Sequence, residues 1–122
     1  MLSMRMIAAL LAGLVFASGA YAQMSLKDKS PDTAKALKFA QEAATAGKQG
    51  QGDVLVTKAE EAQKQAIYAS KAFTSYNLQI ALERLGEAIA EGKKGDVAAA
   101  TAKAQAAADV LGSSAPVDPN LP

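Results

Sequence analysis

The chain has 122 residues, with 13 Lys and Arg against 12 Asp and Glu, no Cys and no His. A near-zero charge with Lys interspersed among Glu and Asp, not gathered in a block, argues against a nucleic-acid partner, and the missing Cys excludes disulfide stapling and a lipid-modified anchor. The missing His removes the usual imidazole base, the commonest metal ligand and the ordinary near-neutral pH switch, and Ala dominates the apolar half of the composition, which favours closely approaching helices.

The chain opens with Arg5, an apolar run from Met6 to Ala17 and a small-x-small ending at Ala20-Tyr21-Ala22. This layout predicts a cleaved secretory signal over residues 1–22, with Gln23 as the first mature residue, and hence a periplasmic or secreted protein. The run is too short for a comfortable membrane span, so no stable membrane anchor is expected. Residues 23–30 read as a flexible leader.

Ser30-Pro31-Asp32 supplies an N-cap, a proline at the first helical position and an early acid, which together start a helix. That helix is expected to reach about Ala46 and to stop at Gly47 and Gly50. Asp53 then reads as the N-cap of a second helix, in which Leu55, Ala59, Ala62, Ala66, Ala69 and Phe73 alternate spacings of four and three, a seam for a neighbouring helix. Its end is indistinct between Ser70 and Tyr76. A third helix is expected from about Asn77 to Gly92, with Leu78, Ala81, Leu82, Leu85, Ala88 and Ile89 on one face. Lys93-Lys94-Gly95 reads as a turn, and Asp96 as the cap of a fourth helix whose seam is Val97, Ala100, Ala104, Ala107 and Leu111. Gly112 ends it, and residues 113–122, with three prolines, read as a disordered tail.

Shifting the sequence by 45 positions lays Ala36-Leu37 on Ala81-Leu82, Glu42-Ala43 on Glu87-Ala88, Gly47-Lys48 on Gly92-Lys93, Gly50 on Gly95 and Lys58-Ala59 on Lys103-Ala104. The two halves, about 31–75 and 76–112, therefore read as copies of one helical hairpin. A lone hairpin leaves its apolar face in water, so the expected fold class is all-α: an antiparallel up-down four-helix bundle over residues 31–112 made of two repeated hairpins.

The phrases Ala36-Leu37-Lys38-Phe39-Ala40-Gln41-Glu42-Ala43, Gly47-Lys48-Gln49-Gly50 and Ala88-Ile89-Ala90-Glu91-Gly92-Lys93-Lys94-Gly95, in duplicated hairpins behind a secretory signal, resemble the bacterial small metal-binding protein family. The resemblance covers roughly Thr33 to Leu111. It implies an exported four-helix bundle whose histidines bind divalent transition metals such as copper, with a role in metal buffering or tolerance. The positions where the family pattern puts histidines hold Phe39, Ala46, Gln51, Lys58 and Gln65 in the first half, and Arg84, Glu91, Asp96, Lys103 and Val110 in the second. The resemblance carries over the scaffold and not the copper-type site.

Oxygen ligands remain. Glu83, Glu87 and Glu91 lie four apart and share one helix face, where like charges cost about 0.2–0.5 kcal/mol per pair in an isolated helix and a cation would relieve that cost. Asp96 joins them as a metal candidate because it stands at a family histidine position. A single row does not wrap an ion, so the expected cofactor is at most a weakly held hard divalent metal ion such as calcium, magnesium or manganese. The competing reading is a solvated face neutralised by Arg84 and nearby lysines, with Asp53 and Asp96 as caps. Glu60-Glu61 is weaker still, since adjacent residues face different ways. Tyr68, Phe73 and Tyr76 are expected to fill the core more than to form a sticky patch. With no base to activate a hydroxyl and no phosphate-cradling loop after a strand, an enzyme is not expected. Two functions stand: an exported metal-binding or buffering protein with residual carboxylate capacity, or a metal-free periplasmic structural or protein-interaction module.

Overall fold

A computed structural model describes residues 26–113; the expected signal at 1–22, the first residues of the leader and the tail beyond Ser113 lie outside the described residues. Every regular element among them is a helix: α1 Leu26–Lys29, α2 Pro31–Lys48, α3 Gly52–Ala72, α4 Tyr76–Lys93 and α5 Val97–Gly112. Each long helix packs against its neighbours in the chain, and α2 also packs against α5, so the contacts close into a ring. No helix among the described residues is long and apolar enough to cross a membrane.

Periodicity explains the core. Leu55, Ala59, Ala62, Ala66 and Ala69 of α3 are fully buried, as are Ala100, Ala104, Ala107 and Leu111 of α5 and Ala81, Leu85 and Ala88 of α4. The corresponding face of α2 is Ala36, Ala40, Ala43 and Ala46. Because these seams are nearly all methyl groups, the backbones approach closely, and two glycines mark the nearest points. A Cβ on Gly47 would overlap the Thr101 hydroxyl and stand 2.7 Å from Leu55 Cδ1; one on Gly92 would stand 2.5 Å from Val56 Cγ2. Both glycines were expected as helix stops. They lie inside α2 and α4, which each run on to a lysine, Lys48 and Lys93.

The stops come three residues later and are the same in both halves. Gly50 and Gly95 have φ of 75° and 89°, a conformation that costs a Cβ-bearing residue energy. Gly50 N–H donates to the Gly47 carbonyl at 3.0 Å and Gln51 N–H to the Ala46 carbonyl at 2.9 Å; Gly95 and Asp96 repeat this with Gly92 at 3.1 Å and Glu91 at 3.0 Å. This double closure satisfies carbonyls that a helix end otherwise leaves open.

Helix starts divide by cap. Ser30, Ser75 and Asp96 each accept a backbone N–H three residues on, from Thr33 at 3.2 Å, Leu78 at 3.4 Å and Ala99 at 3.0 Å. The expected cap Asp53 is not one: α3 begins at Gly52, the capping position falls on Gln51, and Asp53 sits in the first turn, where its negative charge still favours the helix dipole. The leader was expected to be flexible to residue 30, yet Leu26–Lys29 forms the short helix α1, packed on α2 and α5. Leu26 is buried, and the buried Thr33 hydroxyl lies within hydrogen-bond reach of both the Leu26 and Ser30 carbonyls, which share its one proton and tie α1 to the head of α2.

The aromatic side chains depart from expectation. Tyr68 and Tyr76 are 45 % and 58 % exposed, whereas Phe73, like Phe39, packs partly against the core. Interiors spaced by alanine leave no room for a phenol, so the rings lie on the outside, where Lys71 Nζ stands 5.7 Å from the Tyr68 ring centre.

Candidate metal centre

Helical spacing of four puts Glu83, Glu87 and Glu91 along one side of α4, as the sequence predicts. Their surroundings decide what they can do. Glu87 is the middle of the row and the most engaged: Arg84 Nη1 donates to its Oε1 at 2.7 Å, and Lys103 Nζ reaches its Oε2 from α5 at 3.2 Å. Burial pushes the Glu87 carboxyl up, but hydrogen bonds from Arg84 and Lys103, together with their charges, outweigh it and hold the group below the usual carboxylate value. Glu83 is the open member, 65 % exposed with Arg84 Nη1 at 3.7 Å. Glu91 pairs with Lys94 at 3.2 Å.

Asp96 stands apart from the row, beyond the turn that ends α4. Its Oδ1 takes the Ala99 N–H and so closes the start of α5. Among the described residues no three His, Cys, Asp or Glu side chains are placed to hold one metal ion. The row is thus a line of carboxylates along a helix, each near a cation of its own chain, and Asp96 does not complete it. A tight site for a copper-type ion needs imidazole or thiolate donors, which the sequence lacks, so the residues present do not fit one. What they offer is oxygen, suited to hard ions at low affinity.

Two partners escaped the sequence reading. Lys103 clamps Glu87 across α4 and α5, and Lys58 does the same to Glu42 across α2 and α3, at 3.4 Å. Both pairs span sixteen residues and correspond under the 45-residue shift, which makes them equivalent in the repeat without showing that they touch. The surroundings differ: Lys58 Nζ stands 5.5 Å from the Phe39 ring centre, whereas position 84, the counterpart of 39, is the arginine that binds Glu87.

The glutamine and lysine side chains near the Gln49–Gln51 turn line a shallow open groove between α2 and α3 that includes Lys38, Glu42 and Lys58. A second groove runs between the two turns, over Gly50, Gly52, Asp53, Gly95 and Val97. Neither brings acidic groups together in a form that would surround an ion.

A family model described as small metal-binding protein matches residues 1–114. No curated protein matches the chain.

Proposed function

The chain belongs to the small metal-binding protein family, and on that premise we propose that it is an exported, non-enzymatic protein that binds or buffers divalent metal ions weakly through carboxylates. Its scaffold is an antiparallel up-down bundle of two repeated hairpins: short joints connect helices that pack side by side, and glycines 45 residues apart end their helices alike. The observation that carries the binding reading is the family match over nearly the whole chain. The donors are Glu83, Glu87 and Glu91 on α4, with Glu83 the most accessible. Hard ions, calcium and manganese ahead of copper, are the cargo such oxygen donors select.

A second reading, a metal-free structural or protein-interaction module in the periplasm, is favoured by a specific contact: both oxygens of Glu87 are already bound by cations of the chain itself. An external ion must displace Arg84 or Lys103 to use this carboxylate fully.

Calorimetric titration of the mature protein with copper, nickel, zinc, calcium and manganese separates the two. Heat from calcium or manganese, with a rise in melting temperature that disappears in Glu83→Gln/Glu91→Gln, supports carboxylate binding. Silence with every ion leaves only the metal-free module. Replacing Asp96 by Ser keeps an N-cap while removing the carboxylate, so an unchanged titration assigns Asp96 to the helix end alone.

A further inference from the structure

The three joints between the long helices are not alike. Those between α2 and α3 and between α4 and α5 are locked by the positive-φ glycines Gly50 and Gly95 and by paired hydrogen bonds back into the preceding helix. Each of these helix pairs is also stapled across by an ion pair, Glu42 to Lys58 in one and Glu87 to Lys103 in the other. The third joint, Phe73–Ser75, is built differently. Phe73 has φ −154° and ψ 156°, Ser75 has φ −149° and ψ 133°, so the strand between α3 and α4 is extended at both ends. Its backbone hydrogen bonds run to its own flanking helices: Phe73 N–H donates to the Ala69 carbonyl, and the Ser75 carbonyl accepts from Gln79. Ser75 also caps α4 through Leu78. These bonds are local to the two flanking helices, and none of them reaches across to the facing helix.

We propose that α2–α3 and α4–α5 are rigid units hinged at Phe73–Ser75, and that the partner of the opened chain is a second copy of itself, the α2–α3 pair of one copy packing on the α4–α5 pair of the other. The surface exchanged is the seam between the two units, α2 on α5 and α3 on α4, made of alanines and close glycine contacts such as Gly92 on Val56. A swapped dimer rebuilds every one of these contacts with the partner, so it differs from the monomer only in the hinge and in concentration dependence. The opposing forces lie at the hinge: Phe73 packs partly against the core, and Lys29 Nζ stands 5.8 Å from its ring centre. Those contacts hold the closed form at low concentration.

The swap has a readout that ordinary docking does not share. Lys48 Nζ donates to Gln105 Oε1 at 3.3 Å, joining α2 to α5 across the exchanged seam, and the chain has no cysteine of its own. In Lys48→Cys/Gln105→Cys, a short bismaleimide joins the two positions within one chain in the monomer and between two chains in the swapped dimer. The purified chain is unfolded and refolded over a concentration series, separated by size exclusion and cross-linked fraction by fraction. The expected result is a dimer that grows with concentration during refolding and yields covalent dimers on a denaturing gel. Deleting Thr74, which shortens the joint, shifts the population towards this dimer, and inserting three glycines after Thr74 shifts it back. Cross-links confined to single chains at every concentration, or a dimer whose cross-links stay within each chain, overturn the proposal. If the deletion variant loses its helical spectrum, the parent series and the glycine insertion decide.

Discussion

At the scale of single residues, Glu87 has the most to say. Its carboxyl is held below the ordinary value of 4.5 by Arg84 and Lys103 acting against burial. A group whose folded pKa is depressed adds stability that is whole above the unfolded value and is lost as pH falls through the folded one. The contribution of Glu87 is therefore intact above about pH 4.5 and declines below it. The side chain is over a third exposed, so the effect is that of a screened surface pair, within about 1 kcal/mol. Thermal melts of the parent and Glu87→Gln should differ at neutral pH and converge in acid; a gap that stays constant down to pH 3 would refute this role. The glutamate row itself was legible from spacing alone, because a repeat of four on a helix fixes a common side. Its neutralisation by Lys103 was not, since that lysine arrives from another helix and only the tertiary fold brings it near. Asp96 was read correctly as a cap from the glycine before it and the apolar run after it, but the same signal at Asp53 marked a first-turn residue, so the signal does not fix the capping position.

At the scale of elements, glycine position separates two roles that the sequence shows identically. Gly50 and Gly95 end helices, whereas Gly47 and Gly92, three residues earlier, let neighbouring helices close in. A sequence reader sees a glycine-rich helix end in either case, because the distinction rests on what packs against the residue. The same reasoning predicts opposite signs for two superficially alike substitutions. Gly86→Ala has space, with its nearest neighbour Gln63 Nε2 at 3.8 Å, and should stabilise the protein by about 0.5–1 kcal/mol through helix propensity. Gly47→Ala gains the same propensity but drives a methyl into Thr101 and Leu55. Overpacking of this kind costs about 1–3 kcal/mol, leaving a net loss of up to about 2. Urea denaturation of the two variants reads the difference as midpoint shifts in opposite directions. The α3 and α5 seams were legible along their middles, since a sustained four-three alternation admits one buried side, but not at their ends: Phe73 falls beyond α3, Val97 is only half-buried, and α5 also buries Ala108 and Val110. Helix α1 was not, because four residues carry no period, and Leu26 is buried through tertiary packing of α1 on α2 and α5.

At the scale of the whole molecule, stability leans on very few large side chains. The largest fully buried ones are Leu55, Leu78, Leu85, Leu111 and Thr33, and the rest of the core is mainly alanine. Truncating a buried leucine to alanine costs about 2–5 kcal/mol, while domains of this size have about 5–15 kcal/mol in all. Leu55→Ala/Leu85→Ala should therefore remove most of the margin. The far-UV circular dichroism of that variant should show a melting midpoint far below that of either single variant, and an unchanged midpoint would mean that the alanine seams alone hold the fold. The exterior position of Tyr68 and Tyr76 follows from the same narrow interior, and the composition showed too few aromatics without showing that the helices would leave them no space.

An interior of alanine also changes what thermal motion inside the protein can be. Alanine has no χ1 rotamers to exchange, so its burial forfeits essentially no side-chain conformational entropy, and its methyl carbon is fixed rigidly to the main chain. Fluctuations in such a core are displacements of whole helices, and the relaxation of the buried alanine methyls, once their own three-fold spin is removed, should follow that of the neighbouring amides.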